Sequence, residues 1–232
     1  MSKRFLIIGA NSDVAQACIP LFEARNITVI LGSHKPYELP ETKHEIVEMD
    51  VTKPSEAIAT MDQLDFDGVL YTAGTLPDNE TALHETEAEN TISVNYTGAV
   101  RILGAIAKKF KAQKSGTIVG VSSVGAVRGK TSNIVYGSAK SGFDNFLSGL
   151  RQYLYSDGVR VLTIRPGFIR TKMTSGMDLP NRLTASPEQV AEVIVKNALS
   201  GNRNIIYVKP IWRPISWILK NIPESIFKRK TL

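Results

Sequence analysis

Phe5-Leu6-Ile7-Ile8-Gly9-Ala10-Asn11-Ser12-Asp13-Val14-Ala15 decides how the chain is read. Four apolar residues run into a glycine turn, and Val14, Cys18 and Leu21/Phe22 then recur at helical spacing. The stretch predicts a strand, a tight turn and a helix. A helix starting there leaves backbone N–H groups unpaired, with Asn11 or Ser12 as cap, so the turn could hold a pyrophosphate. It carries one of the glycines that such fingerprints usually have, and glycine turns also join strands to helices without any nucleotide.

The same alternation continues along the chain. A second apolar run, Ile27 to Leu31, ends in Gly32-Ser33-His34-Lys35, where no acid stands to bind an adenosine 2′-hydroxyl. Ser33, His34 and Lys35 would suit a 2′-phosphate instead, which favours NADPH over NADH; the other reading is a polar loop. Glu45 to Val51 gives a third strand, with Asp50 and Val51 at its end beside an adenine. Phe66 to Gly74 gives a fourth, closing on the small pair Ala73-Gly74, where backbone could approach a cofactor.

A long helix is expected from about Glu85 to Ala112, with Asn95 in its interior. Asn is unfavourable there, so its side chain should have a hydrogen-bonding task, catalytic or structural. Gly116 to Ser123 reads as a strand. Phe143, Phe146/Leu147, Leu150 and Leu154 then mark the apolar stripe of a helix, for a core or a subunit contact. Val159 to Ile164 is a sixth strand, stopped by Arg165-Pro166-Gly167, with Ile169 and Thr171 in the loop beyond. Residues 172–185 lack periodicity and could form a mobile flap over a substrate. Ser186-Pro187 opens a helix to about Leu199, and Asn204 to Val208 forms a last strand.

Strands alternating with helices predict a single-domain α/β fold, a doubly wound parallel sheet of about seven strands with helices on both faces. Residues 1–208 would form this domain and residues 209–232 a C-terminal amphipathic basic segment.

The chemistry gathers at Ser122-Ser123 and at Tyr136-Gly-Ser-Ala-Lys140. On a helix, four-residue spacing sets Tyr136 and Lys140 on one face, where an ammonium would lower the phenol's pKa toward neutrality. A strand ending at Ser123 could bring a second hydroxyl beside the first, and the two together could polarise a carbonyl oxygen. Taken alone, the pair also fits an ordinary half-buried Tyr and a solvated Lys.

Composition bounds the alternatives. One cysteine, Cys18, excludes an internal disulfide and fits a reducing cytosol, and His34, His44 and His84 show no ligand spacing, so no metal is expected. No window approaches a membrane span. Net charge is +6, yet from Pro210 onward five bases face one acid, so the body is nearly neutral and no nucleic-acid partner is expected.

In the first glycine turn, Asp50-Val51, Ala73-Gly74, Asn95, Ser123, Tyr136-x-x-x-Lys140 and Pro166-Gly167 with Thr171, the chain resembles a short-chain dehydrogenase/reductase over about residues 4 to 208. The resemblance implies a Rossmann fold and an NAD(P)-dependent enzyme. Tyr136 would give or take the proton, Lys140 would bind the nicotinamide ribose and Ser123 would hold the substrate oxygen. Asn95 would anchor a water leading to Lys140. Gly9, Asn11, Ser12, Asp13, Val14, Ser33, His34, Lys35, Asp50, Val51, Ala73, Gly74, Pro166, Gly167, Ile169 and Thr171 would line the cofactor. It also implies a homo-oligomer paired through helices 85–112 and 136–155. Two departures stand out: Asp13 and Ala15 replace glycines, and Tyr71-Thr72-Ala73-Gly74 stands for Asn-Asn-Ala-Gly. Asp13 must point away from a pyrophosphate, toward its own helix's N-terminal dipole.

Ser122-Ser-Val124, Ser132-Asn-x-Val-Tyr136, Val159 to Gly167, Arg170-Thr-Lys-Met173 and Ile222 to Arg229 further resemble the decaprenylphosphoryl-2-keto-erythro-pentose reductases. This implies a lipid-linked or small keto-sugar substrate, cell-wall or polysaccharide biosynthesis and a flavin oxidase partner. Ile211, Trp212, Ile215, Ile218/Leu219 and Ile222 follow helical spacing with Lys228-Arg229-Lys230 beyond, the composition of an interfacial helix. Packing on the core or on a partner subunit is the competing reading. The expected location is the cytoplasm, peripheral on the inner face of the membrane. Competing functions are a soluble carbonyl or 3-oxoacyl-carrier reductase and a non-catalytic NADP-sensing or scaffold protein.

Overall fold

The computed structural model describes residues 3–78 and 80–230, so the outer limits of both expected segments, Met1 and Leu232, lie outside the described residues. The strands are β1 (Arg4–Ile8), β2 (Thr28–Ser33), β3 (Glu45–Glu48), β4 (Gly68–Tyr71), β5 (Gly116–Val121) and β6 (Val159–Arg165). A short pair follows, β7 (Phe168–Ile169) and β8 (Thr184–Ala185), and then β9 (Ile205–Tyr207). The helices are α1 (Asp13–Glu23), α2 (Pro54–Asp62), α3 (Glu85–Ile92), α4 (Gly98–Gln113), α5 (Ile134–Tyr153), α6 (Pro187–Ser200), α7 (Trp212–Asn221) and α8 (Glu224–Phe227).

Seven strands form one parallel sheet in the order β3-β2-β1-β4-β5-β6-β9, and β7 pairs with β8 beside it. The order reverses between β1 and β4, the switch point at which doubly wound sheets open a crevice. Alternation along each strand divides the core in two. Leu6 and Ile8 pack with Ile102, Ile106 and Phe110 of α4 and with Phe143 and Leu147 of α5. Phe5 and Ile7 face the other way, onto Cys18 and Phe22 of α1 and Val190 and Ile194 of α6.

Helix starts follow local chemistry. The Ser12 hydroxyl accepts from the Ala15 N–H at 3.1 Å, and Ser186 with Gln189 forms a capping box ahead of Pro187. The expected continuous helix from Glu85 to Ala112 is a correction: Ser93–Thr97 form a π-helical turn between α3 and α4. That turn lets Asn95 leave the helical ladder and bond elsewhere.

Gly9 has φ +89°, and a Cβ there would lie 2.5 Å from the Ala73 nitrogen. Gly9→Ala is expected to cost at least about 1–3 kcal/mol of stability from backbone strain alone. Denaturant unfolding at an unchanged midpoint would contradict this account of the turn.

The C-terminal segment is plugged into the domain. Trp212 is buried, its indole N–H donates to the Leu183 carbonyl at 3.1 Å, and its ring meets Phe168 edge-on at 5.5 Å. Its position also explains Gly167, where any Cβ would collide with the indole.

Candidate active site

The crevice is built from strand ends. Behind β5, Ser123 accepts from the Gly125 N–H at 2.9 Å, which orients its oxygen. Its hydroxyl is the hydrogen-bond partner of Tyr136, on the first turn of α5. One turn later Lys140 is buried, its ammonium donating to the Val121 carbonyl at 3.2 Å and lying 5.8 Å from the centre of the Tyr136 ring. No carboxylate pairs with it among the described residues. Burial alone therefore pushes its pKa down to about 8.

For the phenol, the expectation from spacing needs correcting. Burial raises the Tyr136 pKa, and the Ser123 hydrogen bond only partly opposes it. Of these two causes burial is the larger. The hydroxyl thus stays protonated at neutral pH, the form that a proton donor needs.

Asn95 completes the group. Its amide donates to the carbonyls of Thr75 at 2.8 Å and Thr91 at 3.0 Å, and its Oδ1 accepts from the Thr75 N–H at 3.4 Å. Gly74 sits between it and the lysine: a Cβ there would be 3.0 Å from Asn95 Oδ1 and 3.4 Å from Lys140 Nζ. A side chain at residue 74 would close that gap.

The remaining residues singled out in the sequence lie along the same ends, with partners that the sequence did not foretell. Asn11 accepts from the Ser33 hydroxyl and donates to the Lys35 carbonyl at 3.2 Å, so it ties the β1 turn to the β2 turn. The Lys35 ammonium pairs with Glu38 at 2.9 Å, while His34 is exposed. Asp50 accepts from the Thr52 N–H and hydroxyl, and Val51 is buried against Gly98. Val14 is buried, Ile169 lies in β7, and Pro166 accepts from the Val124 N–H at 2.9 Å. Thr171 caps the 3₁₀ turn 172–174.

Asp13 opens α1 in the helix's first turn, and its carboxylate accepts from the Lys172 N–H at 2.7 Å, while the Lys172 ammonium donates to the Asn11 carbonyl at 2.6 Å. The start of the 172–185 stretch is therefore latched to the glycine turn. Sequence reasoning gave Lys172 and Thr75 no site role: Lys172 entered only within the stretches Arg170-Thr-Lys-Met173 and 172–185, and Thr75 lies outside the stretches singled out. It also missed Arg128, treated below.

The model of short chain dehydrogenases matches residues 3–181. The chain belongs to the short-chain dehydrogenase family. An uncharacterized oxidoreductase of Mycobacterium tuberculosis is 35% identical over 153 residues, covering 65% of this chain and 61% of that protein. The chain thus spans less than two thirds of that relative's length. An uncharacterized oxidoreductase of Myxococcus xanthus is 26% identical over 237 residues, covering 96% of this chain and 93% of its own. A short chain dehydrogenase from Burkholderia cenocepacia, solved in complex with NADP, superimposes with a TM-score of 0.84 at 21% identity, covering 98% of this chain and 97% of that one. One from Streptomyces avermitilis gives 0.82 at 17%, covering 94% and 91%. These likenesses show the fold.

Proposed function

We propose that the protein is a nicotinamide-dependent reductase of a keto-sugar carried on a polyprenyl phosphate. The observation that carries the reductase reading is the convergence of Ser123, a protonated Tyr136 and a buried, unpaired Lys140 at one strand-end crevice. The residues suit a dinucleotide. The glycine turn at Gly9 admits close backbone approach, Ser12 caps the helix that points at it, and Asp13 is already engaged. Gly9 to Val14 would hold the pyrophosphate, Asp50 and Val51 the adenine, and Gly74, Lys140, Pro166, Ile169 and Thr171 the nicotinamide end. When bound, the cofactor supplies a hydride to the carbonyl carbon.

This chain's own residues do the rest. Ser123, its oxygen oriented by the Gly125 N–H, donates to the substrate oxygen. Tyr136 transfers its proton to that oxygen as negative charge develops. Lys140 stabilises the resulting phenolate, and Asn95 holds the backbone beside the ammonium in place for proton resupply. For cofactor choice we favour NADPH, because no acid stands in Gly32-Ser33-His34-Lys35 at the end of β2 and the exposed Lys35–Glu38 pair is weak enough to yield to a phosphate.

The lipid part of the reading draws on α7 and α8. Trp217 is 69% exposed, Ile211, Ile218 and Ile226 are exposed as well, and Arg213, Lys220, Lys228, Arg229 and Lys230 accompany them. Among the described residues no helix is long and apolar enough to cross a membrane. An apolar face with cations beside it suits the surface of an anionic bilayer.

The test is NADPH oxidation with a lipid-linked 2-keto-pentose in anionic vesicles, against a soluble keto-sugar. The lipid-linked ketone should be the better substrate, and equal rates on the two would remove the lipid requirement. Trp217→Ala with Ile218→Ser should weaken vesicle binding by roughly tenfold, from about 1.5 kcal/mol or more of lost apolar burial. Turnover of the soluble sugar should persist; undiminished vesicle binding would exclude α7 as the contact.

A further inference from the structure

The turn that follows Ser123 is held at both ends. At its start, Ser123 accepts from the Gly125 N–H, and the Val124 N–H donates to the Pro166 carbonyl at 2.9 Å. At its end stands Arg128, whose side chain is 17% exposed. The guanidinium donates to the carbonyls of Leu219 at 2.9 Å and Ile222 at 2.5 Å, pairs with Glu224 at 2.6 Å and lies 3.7 Å over the Phe227 ring.

Those carbonyls are at the C-terminal end of α7, where helical partners run out and the dipole is negative. A planar fork of donors suits that end better than an ammonium would. Ser216, on the same helix, is buried, and α7 packs on the turn itself. The serine and the C-terminal helices are therefore joined through one short stretch, residues 123–128.

We propose that Arg128 is a positioning residue that makes the placement of Ser123 depend on the docking of α7 and α8. This rests on the reductase reading above and adds to it: whatever binds the outward face of α7 is sensed at the catalytic hydroxyl. When the clamp is intact, Ser123 keeps its oxygen on Gly125 and its proton toward Tyr136. When the clamp is lost, the turn loosens and Tyr136 loses the partner that lowers its pKa.

The experiment compares wild type, Arg128→Ala and Arg128→Lys for amide hydrogen exchange, ketone reduction and NADPH affinity. Arg128→Ala should speed exchange in 122–128 and 214–227 together and lower kcat/KM by about tenfold to a hundredfold, as a misplaced group does. NADPH affinity should be unchanged. In the kcat–pH profile the upper alkaline step, that of the proton donor, should move to higher pH, as in Ser123→Ala, while the step near pH 8 that belongs to Lys140 stays in place. Arg128→Lys should fall between the two, keeping the charge but not the fork. Should Arg128→Ala fail to fold, Phe227→Ala loosens the same clamp. A lowered melting temperature with unchanged kcat, KM and pH profile would overturn the proposal. Wild-type protein that reduces no ketone would instead remove the reductase reading, while linked exchange in the two segments would still bear out the coupling.

Discussion

Tyr136→Phe is expected to lower carbonyl reduction by about 10²–10⁴-fold, the span that a positioned general acid contributes, with NADPH affinity unchanged. The ring keeps its place in the first turn of α5, so packing is preserved, and only the hydroxyl that faces Ser123 is removed. Because burial holds that hydroxyl above its ordinary pKa, wild-type reduction should stay level through neutral pH and fall on the alkaline side, first as the Lys140 ammonium is lost near pH 8 and further where the donor itself is lost. Stopped-flow measurement of NADPH oxidation separates the proton-transfer defect from binding. Turnover near the wild-type rate in the Phe variant would assign the proton to another group.

The same residue shows how far the sequence could be read. Short apolar runs ending in turn residues, set between stretches of helical period, placed all seven strands of the main sheet, because the central strands are buried on both faces by helical stripes visible in the chain. Four-residue spacing likewise placed Tyr136 and Lys140 on one face. Spacing carries no depth, however, and depth decides the electrostatics: the sequence suggested an ammonium acting on a phenol, whereas burial governs both groups. Asn95 was legible as an anomaly in a helix, but not the π turn that resolves it, since its partner Thr75 belongs to another segment. The latch of Asp13 to Lys172 spans 159 residues and the clamp of Arg128 to Glu224 spans 96. Neither follows a local pattern. Each depends on where loops meet once the sheet has formed.

Lys140→Met is expected to give the opposite signs for activity and stability. Reduction should fall by at least about 10²-fold, because no cation would remain beside Tyr136 as the phenolate forms. Stability of the cofactor-free protein should rise. Lys140 is 4% exposed and, among the described residues, no carboxylate pairs with its ammonium, which donates to the Val121 carbonyl, so folding must bury an uncompensated charge. Its pKa of about 8, against an ordinary 10.5, corresponds to roughly 3 kcal/mol at about 1.4 kcal/mol per pH unit. The sign follows from proton counting. Between pH 8 and 10.5 the unfolded chain still binds the proton that the folded chain has released, so wild-type stability rises with pH across that window. Below pH 8 both states are charged and the cost is present in full. Methionine, unbranched and of similar length, fills the space without the charge. The variant should therefore exceed wild type by up to about 3 kcal/mol at neutral pH, an advantage that shrinks above pH 8 and is gone near the ordinary lysine value. Urea unfolding at several pH values measures both limbs. A variant less stable than wild type at pH 7 would mean that the ammonium contributes to the fold. An advantage independent of pH would show that packing, not charge, was the cause.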